Sequence, residues 1–546
     1  MGRRPDGPPL CWGAMRVLPA GLSNRARWSI AIAGGAFGIA FLVGYALVSP
    51  LRDSPVGYDT AASVLYFQRM IHGVLLEQPY GATPKPLATL IDGLLFTVGG
   101  WRAVSVVAVA SFAGVVALGT GLARRIGDAG SGDRDGGSAT RGAVAAGFAF
   151  ITLLGSVPLL LDASLAYAVS FAALGCLVAG FAVTGPRPHY AVAGIALGLA
   201  TLARLETIVV VVGALALLAA ATVVAPRTRR RPARGAWWLA LGLVAIPVML
   251  VHDLRLTGDA LYWAHVSERF SQGHPDAVMD PAATLAWLGR HFAPIALTVG
   301  LAGLGLAILA RRRHWAVGTG FALLGLGVPV LLLVLAARNT YISLRYLALA
   351  DLALAIPAAI GIAAVSVPEL IGPRSGPPSR PAAVLRLARP ALGAGLAMIL
   401  ALMVSHPFAP TDGTTRRTVF DGRTVARHLE TVTPILRTAL VRTGSIPDGR
   451  ARVLAPALST PRLIVDLGLR ITDVQTAHAV PDGSAFLPDA FLVGQIVFHD
   501  RVGDAGTPVY SALESTGTVD VDGFRFTTIA SDAAAGWWVL RVEAGP

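Results

Sequence analysis

Apolar runs of about twenty residues, repeated along most of the chain, restrict its fold more than any other feature. In hydrocarbon every backbone amide must be satisfied internally, so each run predicts a membrane-spanning helix. The runs fall at 29–48, 102–122, 142–161, 165–184, 190–203, 207–225, 236–251, 284–310, 316–337, 345–366 and 390–406, about eleven in all. The run 190–203 is short and must borrow from its flanks. The stretch 87–99 is interrupted by Asp92 and Gly93 and reads as re-entrant or interfacial. Composition agrees: 14% of the 546 residues are charged, against roughly 25% in soluble domains. The mean hydropathy is +0.63. These values exclude a disordered chain, a collagen-like repeat and a disulfide-stapled domain. The two cysteines, Cys11 in the N-terminal tail and Cys176 inside a run, have no metal-ligand spacing.

The net charge of +13 reads as membrane topology rather than nucleic-acid binding, because the arginines cluster between apolar runs. With the N-terminus inside, one set of loops carries Arg3, Arg4, Arg25 and Arg27, then Arg124 and Arg125. The same side takes RTRRRPARG, Arg311–Arg313 and the Pro/Arg linker 367–381. The alternation predicts a cytoplasmic tail over 1–28, a bundle over 29–409 and an extracytoplasmic C-terminus in the plasma (inner) membrane. No small-residue cleavage site ends the first run, which predicts a retained helix. A Gly/Ser/Asp linker covers 126–140. Over 410–546 both charge signs return, with period-2 strands (AFLVGQIVFHD, GFRFTTIA, WWVLRV) and an amphipathic helix over 423–441. The fold expected is a polytopic α-helical membrane protein with a C-terminal extracytoplasmic α/β domain.

Charged residues beside spans are costly and default to function. The first outer loop, 49–100, concentrates them in SPLRDSPVGYDTAASVLYFQRMIHGVLLEQPYGATPKPLATLID. If a helix begins at Asp59, that carboxylate can cap it, with Ser63 and Tyr66 following on the same face. The functional reading rests on placement: Asp59 follows the first span in a loop that also holds Arg69, His72, Lys85 and Asp92. Lys85 is the only lysine in the chain, held between prolines in TPKP. A compact ammonium on a stiff backbone suits a phosphate oxygen; the plain alternative is a surface lysine left over in an arginine-rich composition.

Other candidates are plainer. Arg204 and Glu206 in LARLET can pair with each other at a helix end. The loop after 236–251 holds His252, Asp253, Arg255, Tyr262, His265, Glu268, Arg269 and His274. His252–Asp253 lacks a third metal ligand at fixed spacing. In RNTYISLRY, Arg338 and Arg345 bracket Tyr341; they either snorkel at helix ends or hold an anionic lipid head group. There is no GxxxxGK[ST], no GxGxxG after a strand and no HExxH, so an enzyme built this way takes an activated substrate from the membrane.

A first span followed by GYDTAASVLYFQRMIHG resembles the multispan GT-C glycosyltransferases. More narrowly it is similar to the actinobacterial arabinofuranosyl- and mannosyltransferases that use polyprenyl-phosphate sugars. Tyr58-Asp59-Thr60-Ala61 stands where those often have two adjacent acids, with Gln68-Arg69 and Gly73 downstream. GIALGLATLARLE is similar to the family's small-residue helix ending in Arg-Pro-Glu, with Leu205 in place of the proline, and LRYLALADLALAI resembles its RY-led helix. The resemblance covers about 50–360. It implies a polyprenyl-phosphate-linked sugar as donor and an envelope glycan or lipid as acceptor, on the outer face among membrane lipids. Asp59 would be the base, with Asp53 as fallback. Lys85 with Arg69 or Arg345 would hold the phosphate, and Arg338, Tyr66 and His72 would line the donor site. Arg204, Glu206, His252 and Asp253 would be secondary, and a divalent cation stays open. The competing classes are a flippase for lipid-linked saccharides and a non-catalytic envelope scaffold. The discriminator is whether Asp59, Lys85 and an outer-end arginine converge on one cavity.

Overall fold

Each apolar run that can be followed becomes helix, because helical pairing within the segment satisfies its amides without water. The computed structural model describes residues 24–49, 51–76, 84–128, 137–155, 168–184, 187–224, 234–273, 280–288, 315–338, 347–366, 414–442, 451–456, 459–477, 491–500, 509–521 and 523–546. The helices are α1 (Asn24–Val48), α2 (Tyr58–Ile71), α3 (Pro86–Asp128), α4 (Gly137–Gly155), α5 (Ala168–Thr184), α6 (Tyr190–Ala203) and α7 (Ile208–Val224). A 3-10 run, Arg234–Val244, leads into α8 (Ala245–Thr257), followed by α9 (Tyr262–Gly273), α10 (Trp315–Ala337) and α11 (Leu347–Ser366). Among the described residues three helical stretches are long and apolar enough to cross a membrane: Ser29–Val48, Pro86–Asp128 and Gly235–Thr257. Most of the expected spans 284–310 and 390–406, and all of linker 367–381, lie outside the described residues.

The stretch 87–99 forms the first helical segment of α3 and is set off from the next span by non-helical backbone at Gly99 and at Gly100 (φ +63°, ψ −160°). Only glycine takes that last conformation without a Cβ clash. Of the linker 126–140, residues 126–128 close α3 and 137–140 open α4, and the residues between them lie outside the described ones. Small residues let the bundle pack: a Cβ on Gly194 would strike the Trp238 carbonyl, and one on Gly175 the Ala196 carbonyl, the close approach that small residues permit between membrane helices.

The C-terminal unit is a six-stranded mixed sheet in the order β2-β1-β3-β6-β5-β4. Its strands are β1 (Val453–Pro456), β2 (Val474–Ala477), β3 (Ile496–Asp500), β4 (Thr518–Val521), β5 (Phe524–Asp532) and β6 (Trp537–Ala544). β1 pairs in parallel with β2 and β3, while β3–β6, β6–β5 and β5–β4 are antiparallel. Helices α12 (Thr414–Arg442), α13 (Thr460–Leu467) and α14 (Val509–Thr516) accompany the sheet. α12 presents Val425, Leu429, Val432 and Leu436 at helical spacing, a stripe that must find cover. It finds it in a core shared with Ala61, Ala62, Leu65 and Tyr66 of α2 and with Trp101 of α3. The first outer stretch and the C-terminal unit are therefore one packed body.

Candidate functional site

Two helix starts meet at the head of the bundle. α2 begins after Gly57 with no side-chain cap bond, so Asp59 sits in the first turn and does not cap it. Its carboxylate Oδ2 instead accepts from Lys85 Nζ at 3.2 Å. Lys85 immediately precedes α3, and its carbonyl accepts from the Thr89 amide at 2.8 Å. Pro86 begins that helix without an amide to satisfy. The positive ends of two helix dipoles thus flank the ion pair. The Lys85 and Asp59 side chains are 13% and 20% exposed, open enough to be reached and dry enough for charge to count.

Close packing sets this meeting. A Cβ at Gly93 would overlap the Phe67 ring, so glycine lets α2 and α3 approach there. Asp92, two turns beyond Lys85, is fully buried, and neither of its carboxylate oxygens has a hydrogen-bond partner. The Lys85 ammonium acts on it electrostatically.

The remaining candidates separate. Asp53 is buried; Arg423 of α12 donates to its Oδ2 from Nε at 2.7 Å and pairs with it through Nη2 at 2.6 Å. Arg423 also donates to the Leu47 carbonyl, so Asp53 fastens the outer unit to the end of α1. Arg69 donates to the Leu469 carbonyl at 3.3 Å, and Tyr66 is buried in the shared core. His72 closes α2 and is exposed. Arg204 and Glu206 pair with each other at 3.0 Å where the backbone leaves α6. His252 Nδ1 lies 3.1 Å from Asp253 Oδ1, while Asp253 Oδ2 accepts from the Trp263 amide at 2.9 Å and so holds the start of α9. Arg338 is exposed at the end of α10. Arg345, Tyr341 and His274 lie outside the described residues. Among the described residues no three His, Cys, Asp or Glu side chains gather as metal ligands. Among the described residues the cation paired with Asp59 is the Lys85 ammonium.

Sequence reasoning missed the joint between the units. Trp101, just past the α3 bend, donates from Nε1 to Asp466 Oδ1 at 2.7 Å. Arg462 stands over its ring at 5.4 Å, donates to the Ser54 carbonyl at 3.2 Å and pairs with Asp466 at 3.4 Å and Glu430 at 3.7 Å. Burial holds the Asp466 carboxyl above its ordinary range and lowers the Arg462 guanidinium from its own. The one local sign was the Arg462–Asp466 spacing of i, i+4.

No family model and no curated protein matches the chain. Among solved structures it is similar to ArnT from Cupriavidus metallidurans in the apo state, with TM-score 0.47 and 16% identity over 96% of this chain and 100% of that one. It is also similar to the same protein bound to undecaprenyl phosphate (TM-score 0.45, 16% identity, 95% and 99% covered). A third likeness is to the archaeal oligosaccharyltransferase AglB from Archaeoglobus fulgidus in complex with an inhibitory peptide and a dolichol-phosphate (TM-score 0.43, 11% identity, 82% and 64% covered).

Proposed function

We propose that this chain is a membrane glycosyltransferase of the GT-C type. It moves a sugar, arabinofuranosyl or mannosyl in class, from a polyprenyl-phosphate donor to an envelope glycan or lipid on the outer face. In this reading the N-terminus is cytoplasmic and the C-terminal unit extracytoplasmic. The observation that carries the reading is the Asp59–Lys85 contact of 3.2 Å at two converging helix starts. A lone ammonium and two positive helix ends form a site for a phosphate, and the carboxylate beside it is a proton acceptor.

The chemistry follows from those groups. The acceptor hydroxyl oxygen attacks the anomeric carbon, the bond from that carbon to the phosphate oxygen breaks, and the carrier phosphate leaves with the electron pair. Asp59 takes the hydroxyl proton, a role contributing typically 10²–10⁴-fold. Lys85 stabilises charge gathering on the departing phosphate. Before the donor arrives Lys85 is paired with Asp59; a phosphate competing for the ammonium loosens the carboxylate and leaves it a better base. Asp53 and Arg69, both engaged with the outer unit, position the loop that bears Asp59.

Radiolabelled transfer by the purified protein in proteoliposomes, with a panel of polyprenyl-phosphate sugars, tests the reading. A folded Asp59→Asn variant should lose at least about 100-fold in rate. Movement of lipid-linked sugar across the bilayer with no new glycosidic bond would point to a flippase instead.

A further inference from the structure

We infer that Arg462 of the outer unit is a positioning residue for the Asp59 base, acting through a strained turn at Ser54; the inference rests on the glycosyl-transfer reading. Among the described residues two non-glycines have positive φ, Ser49 (+47°) and Ser54 (+39°), and both lie between α1 and α2. A side chain with a Cβ is crowded there. A residue before proline, as Ser54 is before Pro55, is also pushed toward extended backbone. Such conformations persist only where the surroundings impose them, and they gather at functional sites. Here each is gripped by an arginine of the outer unit. Arg423 Nη2 donates to Ser49 Oγ at 3.3 Å, and Arg462 Nη1 donates to the Ser54 carbonyl at 3.2 Å.

The turn leads straight to the site. Residues 53–56 are buried, and the Pro55 carbonyl accepts from Ser105 Oγ of α3 at 2.9 Å. Gly57 follows in extended backbone and α2 begins, with Asp59 five positions beyond Ser54. A Ser54 that relaxed to negative φ would redirect the chain entering α2 and shift the carboxylate from its 3.2 Å contact with Lys85. A misplacement of about 1 Å at reacting groups can cost roughly 100-fold in rate. Fastening the two units needs no strained serine, since Asp53 and Arg423 already do that. The nitrogens of Arg462 diverge: Nε faces Asp466 at 3.4 Å and Nη2 faces Glu430 at 3.7 Å, leaving Nη1 for Ser54. An ammonium has a single nitrogen and cannot serve all three.

The test uses the full chain in nanodiscs, with single-turnover transfer from the polyprenyl-phosphate sugar that the wild-type protein accepts. Arg462→Lys keeps the charge beside Asp466 and should lower the rate roughly 10- to 100-fold. Polyprenyl-phosphate affinity, which leans on Lys85, should not weaken. Adding Ser54→Gly should recover roughly 5-fold or more, since glycine takes positive φ freely. In an Asp59→Asn background the same Arg462→Lys change should cost little further, because residues acting through one another are not additive. A merely structural arginine would cost the same in both backgrounds and would not be rescued by glycine. If Arg462→Lys does not fold, Arg462→Met carries the same comparisons. An unchanged rate, an equal loss in the Asp59→Asn background, or no recovery with Ser54→Gly overturns the inference and leaves the glycosyl-transfer reading standing. If the wild-type protein transfers no sugar, or Asp59→Asn transfers at the wild-type rate, that reading falls and this inference with it.

Discussion

Replacing Asp59 by Asn should slow transfer and yet tighten the donor lipid. In the free protein Lys85 is bonded to the Asp59 carboxylate at 3.2 Å, and an entering phosphate must displace that partner. A hydrogen bond between charged groups contributes about 1.5–3 kcal/mol net. With the two side chains 13% and 20% exposed, the lower part of that range applies, about 1.5–2 kcal/mol. Removing the carboxylate takes away that competitor, so polyprenyl phosphate should bind roughly 10- to 30-fold tighter to Asp59→Asn. The rate should fall by about 10²–10⁴, or 2.7–5.5 kcal/mol of barrier. Lys85→Gln should instead weaken lipid binding and slow the reaction. Titration of polyprenyl phosphate into nanodisc-embedded protein, beside single-turnover transfer, reads both quantities. The reasoning is refuted if Asp59→Asn and Lys85→Gln change lipid affinity in the same direction.

Three further outcomes follow from the packing. Arg423→Gln leaves the buried Asp53 charge, among the described residues, with Arg427 at 3.6 Å and Arg52 at 3.8 Å; breaking a wholly buried pair costs about 3–5 kcal/mol, so about 2–3 kcal/mol is expected here. Chemical unfolding should register it, and adding Asp53→Asn should recover part of the loss; additive losses would refute the pairing. Gly93→Ala drives a methyl into Phe67 and should cost about 1–3 kcal/mol through overpacking. By separating α2 from α3 it should also slow transfer, so a variant with normal stability and rate contradicts the close approach. Asp466 binds its proton more tightly in the folded chain than its ordinary value of 3.8 allows. Its contribution to stability is complete below that pH and declines as the pH rises through the elevated folded value. Asp466→Asn should flatten that part of the pH–stability curve, and an unchanged slope would assign it to other groups.

Legibility differed by range. The helices near 165–184, 207–225, 316–337 and 345–366 begin and end within a few residues of α5, α7, α10 and α11, because their hydrogen bonds close within four residues. The helix expected over 423–441 lies inside α12, and the alternating stretches became β3, β5 and β6. The backbone break at Gly99–Gly100 falls where the sequence ends the interrupted stretch 87–99. Asp53 and Asp59, six positions apart, carry the same group. Only their partners tell them apart, Arg423 370 residues away and Lys85 26 residues away.

The amino-acid order alone determined that the chain makes apolar helices followed by a sheet-bearing unit, and that one lysine stands between prolines after the first helix. Those properties follow from periodicity and composition, which act over a few residues at a time. Which carboxylate faces that lysine, which one clamps the outer unit, and which guanidinium holds the serine turn before α2 were decided only by tertiary packing. Charges and hydroxyls carry no periodic signal of their partners; contacts such as Gly93 against Phe67 and Trp101 against Asp466 bring together groups the backbone keeps far apart.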